Sequence, residues 1–172
     1  MIYQLKIVLK EYDQLLWIRL QLDETVTFAT LYDAICYAFD LSAQGTHHFV
    51  LSPADAPDRS LLQCEQQCRF SDCFSNSRGF MGRLFYQDEL QTMKFNLFVE
   101  QIIPPQKGVK YPMCTTVSKH LGSYIAHHKP WVYDPYEKDL VQVYEPIRSR
   151  SELTTSINAH LHEDGLNPFL DL

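Results

Sequence analysis

The sequence predicts an α+β fold: a mixed or antiparallel sheet that begins strand–hairpin–helix–strand and carries a C-terminal helical extension. Three observations predict it. Two period-two alternations, over residues 3–7 and 16–22, flank a short polar link. An apolar stripe at spacings of three and four follows at Phe28, Leu31, Ile35, Ala38 and Phe39. A further apolar run, Thr46-His47-His48-Phe49-Val50-Leu51, closes the opening unit. A helix laid across one face of a small sheet is the usual way to bury such a set.

The elements follow in order. Residues 2–10 form the first strand, and Glu11-Tyr12-Asp13-Gln14 is the hairpin connection. In the second strand Leu16, Ile18, Leu20 and Leu22 share the core face. Trp17 and Arg19 share the opposite one, where either the arginine stem covers the ring or the pair is a ligand platform. Thr27 is placed to cap the helix, its hydroxyl accepting from an early N–H. Residues 42–45 are a break, and Ser52-Pro53 ends the third strand. Pro53 and Pro57 exclude a central strand from residues 52–62. Residues 83–86 and 93–102 form a second hairpin about Gln87-Asp88-Glu89-Leu90, with Met93, Phe95, Leu97 and Val99 inward. Pro104-Pro105 stops it. Residues 131–136 read as loop and 140–144 as strand. Residues 150–161 read as a helix with Leu153, Ile157 and Leu161 inward, capped by Ser151, with Gly165 and Pro168 at its stop.

A chain of 172 residues is long enough for one real core, so residues 1–172 are expected to be a single domain. Residues 1–114 form the core and 115–172 an extension packed on it. Hydrophobic content of 45% and charged content of 21% are those of a globular chain. A net charge of −6 argues against general nucleic-acid binding, which relies on neutralising phosphates, though a local basic patch stays open. No secretory h-region opens the chain, and no apolar run reaches the ~20 residues of a membrane span. Five cysteines, an odd count, suit reduced thiols in a cytoplasm.

Cys64, Cys68 and Cys73 are the strongest chemical signal, with Cys114 or a histidine as a fourth ligand for a structural zinc. Against zinc, no Cys-x2-Cys pair occurs, and a spacing of four places Cys64 and Cys68 on one helical face as packed thiols. No other cofactor is implied. Adjacent His47 and His48 point to opposite faces of a strand and do not readily chelate one ion. Asp88 and Glu89 are candidate acid–base groups, but acidic turns are common for turn chemistry alone. Phosphate loops, nucleophile elbows and His-Glu-x-x-His are absent.

The order of short motifs resembles the plasmid pRi open-reading-frame-three-like family, found on plasmids and as passengers in insertion elements. The motifs are Trp17-Ile18-Arg19, Thr27-Phe28-Ala29-Thr30-Leu31, Tyr37-Ala38-Phe39, His47-His48-Phe49, Tyr86-Gln87-Asp88-Glu89 and Tyr111-Pro112-Met113-Cys114, spanning about residues 2–114. The family's helix His is Tyr32 here, and its Gly-Trp is Asp40-Leu41. Thr92-Met93 stands in place of its hairpin Trp, and its Pro-Pro-Glu-Asp segment is missing. The resemblance implies a fold more than an activity. It makes Trp17, Arg19, His47, His48, Tyr86, Asp88 and Tyr111 the candidate binding residues. The expected function is a non-catalytic interaction domain associated with mobile DNA, monomeric or homodimeric, with an unknown protein partner. Alternatives are a zinc-stabilised domain, or an enzyme using Cys114 or Asp88 with a histidine.

Overall fold

The computed structural model describes residues 1–11, 14–42, 44–51, 60–62, 65, 68–70, 78–128, 131–142 and 146–163. In chain order the elements are β1 (Ile2–Glu11), β2 (Gln14–Asp23), α1 (Phe28–Phe39), β3 (Thr46–Leu51), β4 (Ser60–Leu62), β5 (Gly79–Gln87), β6 (Thr92–Ile103), β7 (Met113–Val117), α2 (Leu121–His127), β8 (Trp131–Asp134), β9 (Asp139–Gln142) and α3 (Arg150–Leu161). The main sheet has the order β4-β3-β5-β6-β1-β2-β7, and all its pairings are antiparallel. β8 and β9 pair with each other as a separate ribbon.

The strong alternation of β1 explains its central place. Leu5, Ile7 and Leu9 are buried on the inner face, beside Leu16, Ile18, Leu20 and Leu22 of β2 and Phe95, Leu97 and Val99 of β6. Helix α1 lies on this face through Phe28, Leu31, Ala34, Ile35, Ala38 and Phe39. Thr27 caps it as expected, its side chain accepting from Thr30 N–H at 3.3 Å. Burying a ring such as Phe28 contributes about 1.5–3 kcal/mol, and Phe28 also meets Phe49 and Phe70 at centroid distances of 5.3 and 5.6 Å. On β5, Gly82 sits so close to β3 that a Cβ there would collide with the Val50 carbonyl oxygen.

The second helical layer comes from the C-terminal part. Leu153, Ile157 and Leu161 of α3 and Leu121, Tyr124 and Ile125 of α2 join the same core. Against α1, His160 stacks on Tyr37 at 4.1 Å and holds Asp33 at 2.7 Å, while the Tyr37 hydroxyl meets Ser156 at 2.7 Å. Against β7, Asn158 bonds both backbone groups of Cys114, and His162 donates to the Pro112 carbonyl at 2.8 Å.

Four expectations change. Residues 131–134 are strand, not loop, because Trp131 to Asp134 find partners in β9. The cap of α3 is Ser149, not Ser151: Ser149 accepts from Glu152 N–H and Glu152 reaches back to Ser149 N–H, a capping box two residues earlier than the cap expected from the apolar stripe. The division at residue 114 cuts through β7, which belongs to the main sheet. Cys68 lies outside any helix, its carbonyl accepting from Phe28 N–H. Gly165, Pro168 and residues 143–144 lie outside the described residues. Among the described residues no helix is long and apolar enough to cross a membrane.

Candidate functional site

The sheet separates the candidate residues by face. On the covered side, beside the N-terminal half of α1, His47 stacks on Tyr32 at 3.4 Å with nearly parallel rings, and its Nε2 meets a Glu65 carboxylate oxygen at 2.7 Å. Its register partner Tyr86 is buried and donates its hydroxyl to the Ser42 carbonyl and to Asp88 Oδ2, both at 2.9 Å. The Tyr86 ring lies where Gly45 leaves room, since a Cβ at Gly45 would overlap it. Burial, reinforced by the Asp88 carboxylate, pushes the Tyr86 hydroxyl up to about 12. Burial likewise raises Tyr32, whose hydroxyl bonds Cys36.

Asp88 is engaged in turn chemistry. Its Oδ1 accepts from Leu90 N–H at 2.8 Å and Gln91 N–H at 2.9 Å, and its Oδ2 accepts from Tyr86. Burial favours its neutral form, but these donors outweigh it and hold the carboxyl below its ordinary value. A small cavity of about 170 Å³ beside it is lined by Ser42, Gln44, Asp88, Glu89 and Leu90. Three of the roughly four acceptor sites of this carboxylate are thereby taken by the turn and Tyr86, which ties Asp88 to holding the hairpin link.

The cysteine candidates divide. Cys64 and Cys73 lie outside the described residues. Cys68 is half-buried against the core. Cys114 is buried on β7, its thiol donating to the Thr116 carbonyl at 3.6 Å, and burial pushes the thiol up to about 12. A thiol held protonated is neither a ready nucleophile nor a ready metal ligand. Among the described residues no group of three or more His, Cys, Asp or Glu side chains is placed to hold a metal ion.

The outer face of the sheet collects Trp17, Arg19 and His48. Arg19 Nε donates to Glu100 Oε1 at 2.6 Å and its Nη2 donates to Oε2 at 3.0 Å, a two-pronged pair. Those bonds raise the guanidinium and, outweighing burial, hold the Glu100 carboxyl below the usual range. Both Arg19 and Lys6 lie over the Trp17 ring, 4.9 and 4.8 Å from its centroid. His48 is exposed and stacks on Phe85 at 4.9 Å.

The register aligns these side chains in cross-strand rows. One row runs Val50, Arg83, Asn96, Val8, Trp17, and the next runs Phe80, Phe98, Lys6, Arg19. Arg83 spans them, its Nε on Asn96 at 3.1 Å and its guanidinium over the Phe80 ring at 5.1 Å. The buried side chains of the three helices that join the core do so on the other face, and these outer side chains are half-buried or exposed. Tyr111 stands apart, before the cis peptide to Pro112, with its hydroxyl accepting from Gln106 N–H at 3.2 Å. Phe80, Arg83, Phe85 and Phe98 are absent from the sequence-derived set. For Phe98 a signal existed: with Met93, Phe95, Leu97 and Val99 inward, the intervening positions must point out.

Together, fold and faces define a small α+β protein with an antiparallel sheet, covered by helices on one side and bearing an aromatic and cationic surface on the other. The chain belongs to the plasmid pRiA4b ORF-3-like protein family, whose profile matches residues 1–121. The match ends at the first residue of α2, so β8, β9 and α3 lie beyond it. Among solved structures, a protein of unknown function, MM3350 from Methanosarcina mazei Go1, is similar at 26% identity and a TM-score of 0.59. The similarity covers 67% of this chain and 68% of that one. No curated protein matches the chain.

Proposed function

We propose that this protein is a non-catalytic binding module whose binding surface is the outer face of the sheet around Trp17, Arg19 and Phe80. The carrying observation is the composition of that face. Among the outward positions of β1, β2, β5 and β6, Trp17, Phe80, Phe85 and Phe98 are interleaved with Lys6, Arg19, Arg83 and Lys94, so rings and cations stand beside the polar Gln4, Gln21 and Asn96 that a merely solvated sheet would carry throughout. The engagement of Asp88 and the protonated, buried state of Cys114 support the non-catalytic reading for the two groups best suited to chemistry. Association with mobile DNA and a cytoplasmic setting are part of the same reading. The family supports the first, and the free thiols Cys36, Cys68 and Cys114 fit the reducing compartment of the second.

The test is a triple variant, Lys6→Glu, Phe80→Ser and Arg83→Glu, used beside the parent chain as bait in host lysate. Bound material is identified as protein and as nucleic acid. The reading expects a specific partner retained by the parent and lost by the variant at equal folded content. A partner held equally by both baits refutes the assignment of this face.

A further inference from the structure

We infer that the outer sheet face takes a single-stranded nucleic acid. The inference rests on the proposed binding face and adds the class of its occupant. Charge is the first argument. Lys6, Lys10, Arg19, Arg83 and Lys94 point outward from β1, β2, β5 and β6, against Glu100 and, at the far end, Asp23. Glu100 is neutralised by Arg19, and Asp23 Oδ1 is engaged by Thr25. A local surplus of cations therefore sits on a chain whose net charge is −6. Whole-chain charge disfavours general binding to duplex phosphates. A concentrated patch on a chain that is acidic overall instead confines a polyanion to one path.

The second argument is the interleaving of rings with those cations. Phe80 is 39% exposed and has Arg83 over its ring. Exposed His48 lies parallel to Phe85, whose cross-strand neighbour is Lys94. Those two ledges are about 13 Å apart, from the rise of an extended strand over the four residues that separate their β6 partners Phe98 and Lys94, which leaves room for a few nucleotides. Bases stack on such rings and on guanidinium planes, while the phosphates meet the intervening ammonium groups. Trp17 serves differently. Trp17 is half-buried, with both Lys6 and the Glu100-bound Arg19 over its ring, so it positions cations, whereas exposed Phe80 carries a single guanidinium on which a base can stack. An acidic protein would satisfy the charge, but it would leave the exposed rings without planar partners. The face has few aliphatic side chains for the apolar core that a protein interface needs.

The experiment is fluorescence anisotropy of the full chain with labelled dT12 and rU12. A labelled 12-residue polyglutamate and a 12-base-pair duplex serve as competitor classes. Expected are saturable binding to at least one single strand, weaker binding to duplex and polyglutamate, and a slope of log affinity on log salt near −2 to −3, about 0.7 for each engaged cation. Phe80→Ala should weaken binding about tenfold with the slope unchanged. Lys94→Gln should lower the slope by about 0.7 and leave the melting temperature unchanged. Equal binding to polyglutamate, or indifference to Phe80→Ala in a chain that melts normally, overturns the inference. If neither oligonucleotide binds and the triple variant still loses a protein from lysate, the nucleic-acid inference fails and the binding-module reading stands. If the triple variant loses nothing, the face itself is wrong.

Discussion

Asn158 gives the sharpest test of how the C-terminal part is attached. Its Oδ1 accepts from Cys114 N–H at 2.6 Å and its Nδ2 donates to the Cys114 carbonyl at 2.9 Å. One side chain on α3 thereby offers β7, an edge of the sheet, the donor and acceptor that a further strand would supply. Asn158→Ala removes both bonds and leaves two partly buried backbone groups without their partner. Each orphaned group costs about 1–3 kcal/mol where water does not replace the partner. Asn158 is half-buried, so partial hydration brings the expected total to about 2–4 kcal/mol. For a chain of this size that is a fall in melting temperature of roughly 5–15 °C. Urea unfolding measures it, with Thr155→Ala, on the exposed side of the same helix, as a control expected within about 0.5 kcal/mol of the parent. Asn158→Asp keeps the acceptor but sets a carboxylate against the Cys114 carbonyl. It should destabilise at neutral pH and recover in acid, where the carboxyl can donate. Asn158→Ala within about 0.5 kcal/mol of the parent would refute the latch.

Glu100 has its carboxyl lowered chiefly by the Arg19 hydrogen bonds, against opposing burial. A group with its folded value below its unfolded value contributes stability that is present at neutral pH and lost as pH falls through the lowered value. Glu100→Gln should therefore cost about 1–2 kcal/mol at pH 7 and converge on the parent as pH falls through that lowered value; a difference that persists in acid counts against the pair. Ser149→Ala should cost about 1 kcal/mol and Ser151→Ala nearly nothing, and thermal melts that reverse this order restore the cap expected from sequence. Gly45→Val should destabilise by about 1–3 kcal/mol through overlap with Tyr86, read by the urea midpoint. Cys114 should resist a thiol reagent at pH 8 until the chain unfolds. Rapid native labelling of Cys114, located by peptide mapping, would contradict its burial.

What the sequence made legible was whatever depends on neighbours a few positions apart. The alternations of β1, β2 and β6, the stripe of α1, the Thr27 cap and the turn at Asp88 are local patterns, and each appears close to its expected bounds. β7 was missed because Met113-Cys114-Thr115-Thr116-Val117 alternates weakly and becomes a strand only by pairing with β2, nearly a hundred residues away in sequence. β8 was missed because Pro130 and Pro135 look like loop punctuation while the ladder lies between them. Among the candidate residues, face could be read and partners could not. Trp17 and Arg19 were assignable to one side by parity. Glu100, Glu65 and Lys6, which fix Arg19, His47 and Trp17, are brought in by register and by loops.

The departures from the family pattern bear on which face matters. Tyr32, where the family has a helix His, packs against the core and stacks on His47. Leu41, within the segment that replaces Gly-Trp, also packs against the core, and Met93, one of the pair standing for the hairpin Trp, is buried. These changes repack the helix-covered side, where Asp88 is already committed to its turn. Trp17-Ile18-Arg19 places its retained tryptophan and arginine on the uncovered side, with Glu100 and Lys6 holding them in one geometry. A ligand gripped beside α1 would meet a surface altered by those substitutions. A ligand on the outer face would meet an intact arrangement of rings and cations whose shape is set by the rigid central strands β1 and β6. Divergence on the covered side and binding on the open side are therefore compatible in one chain.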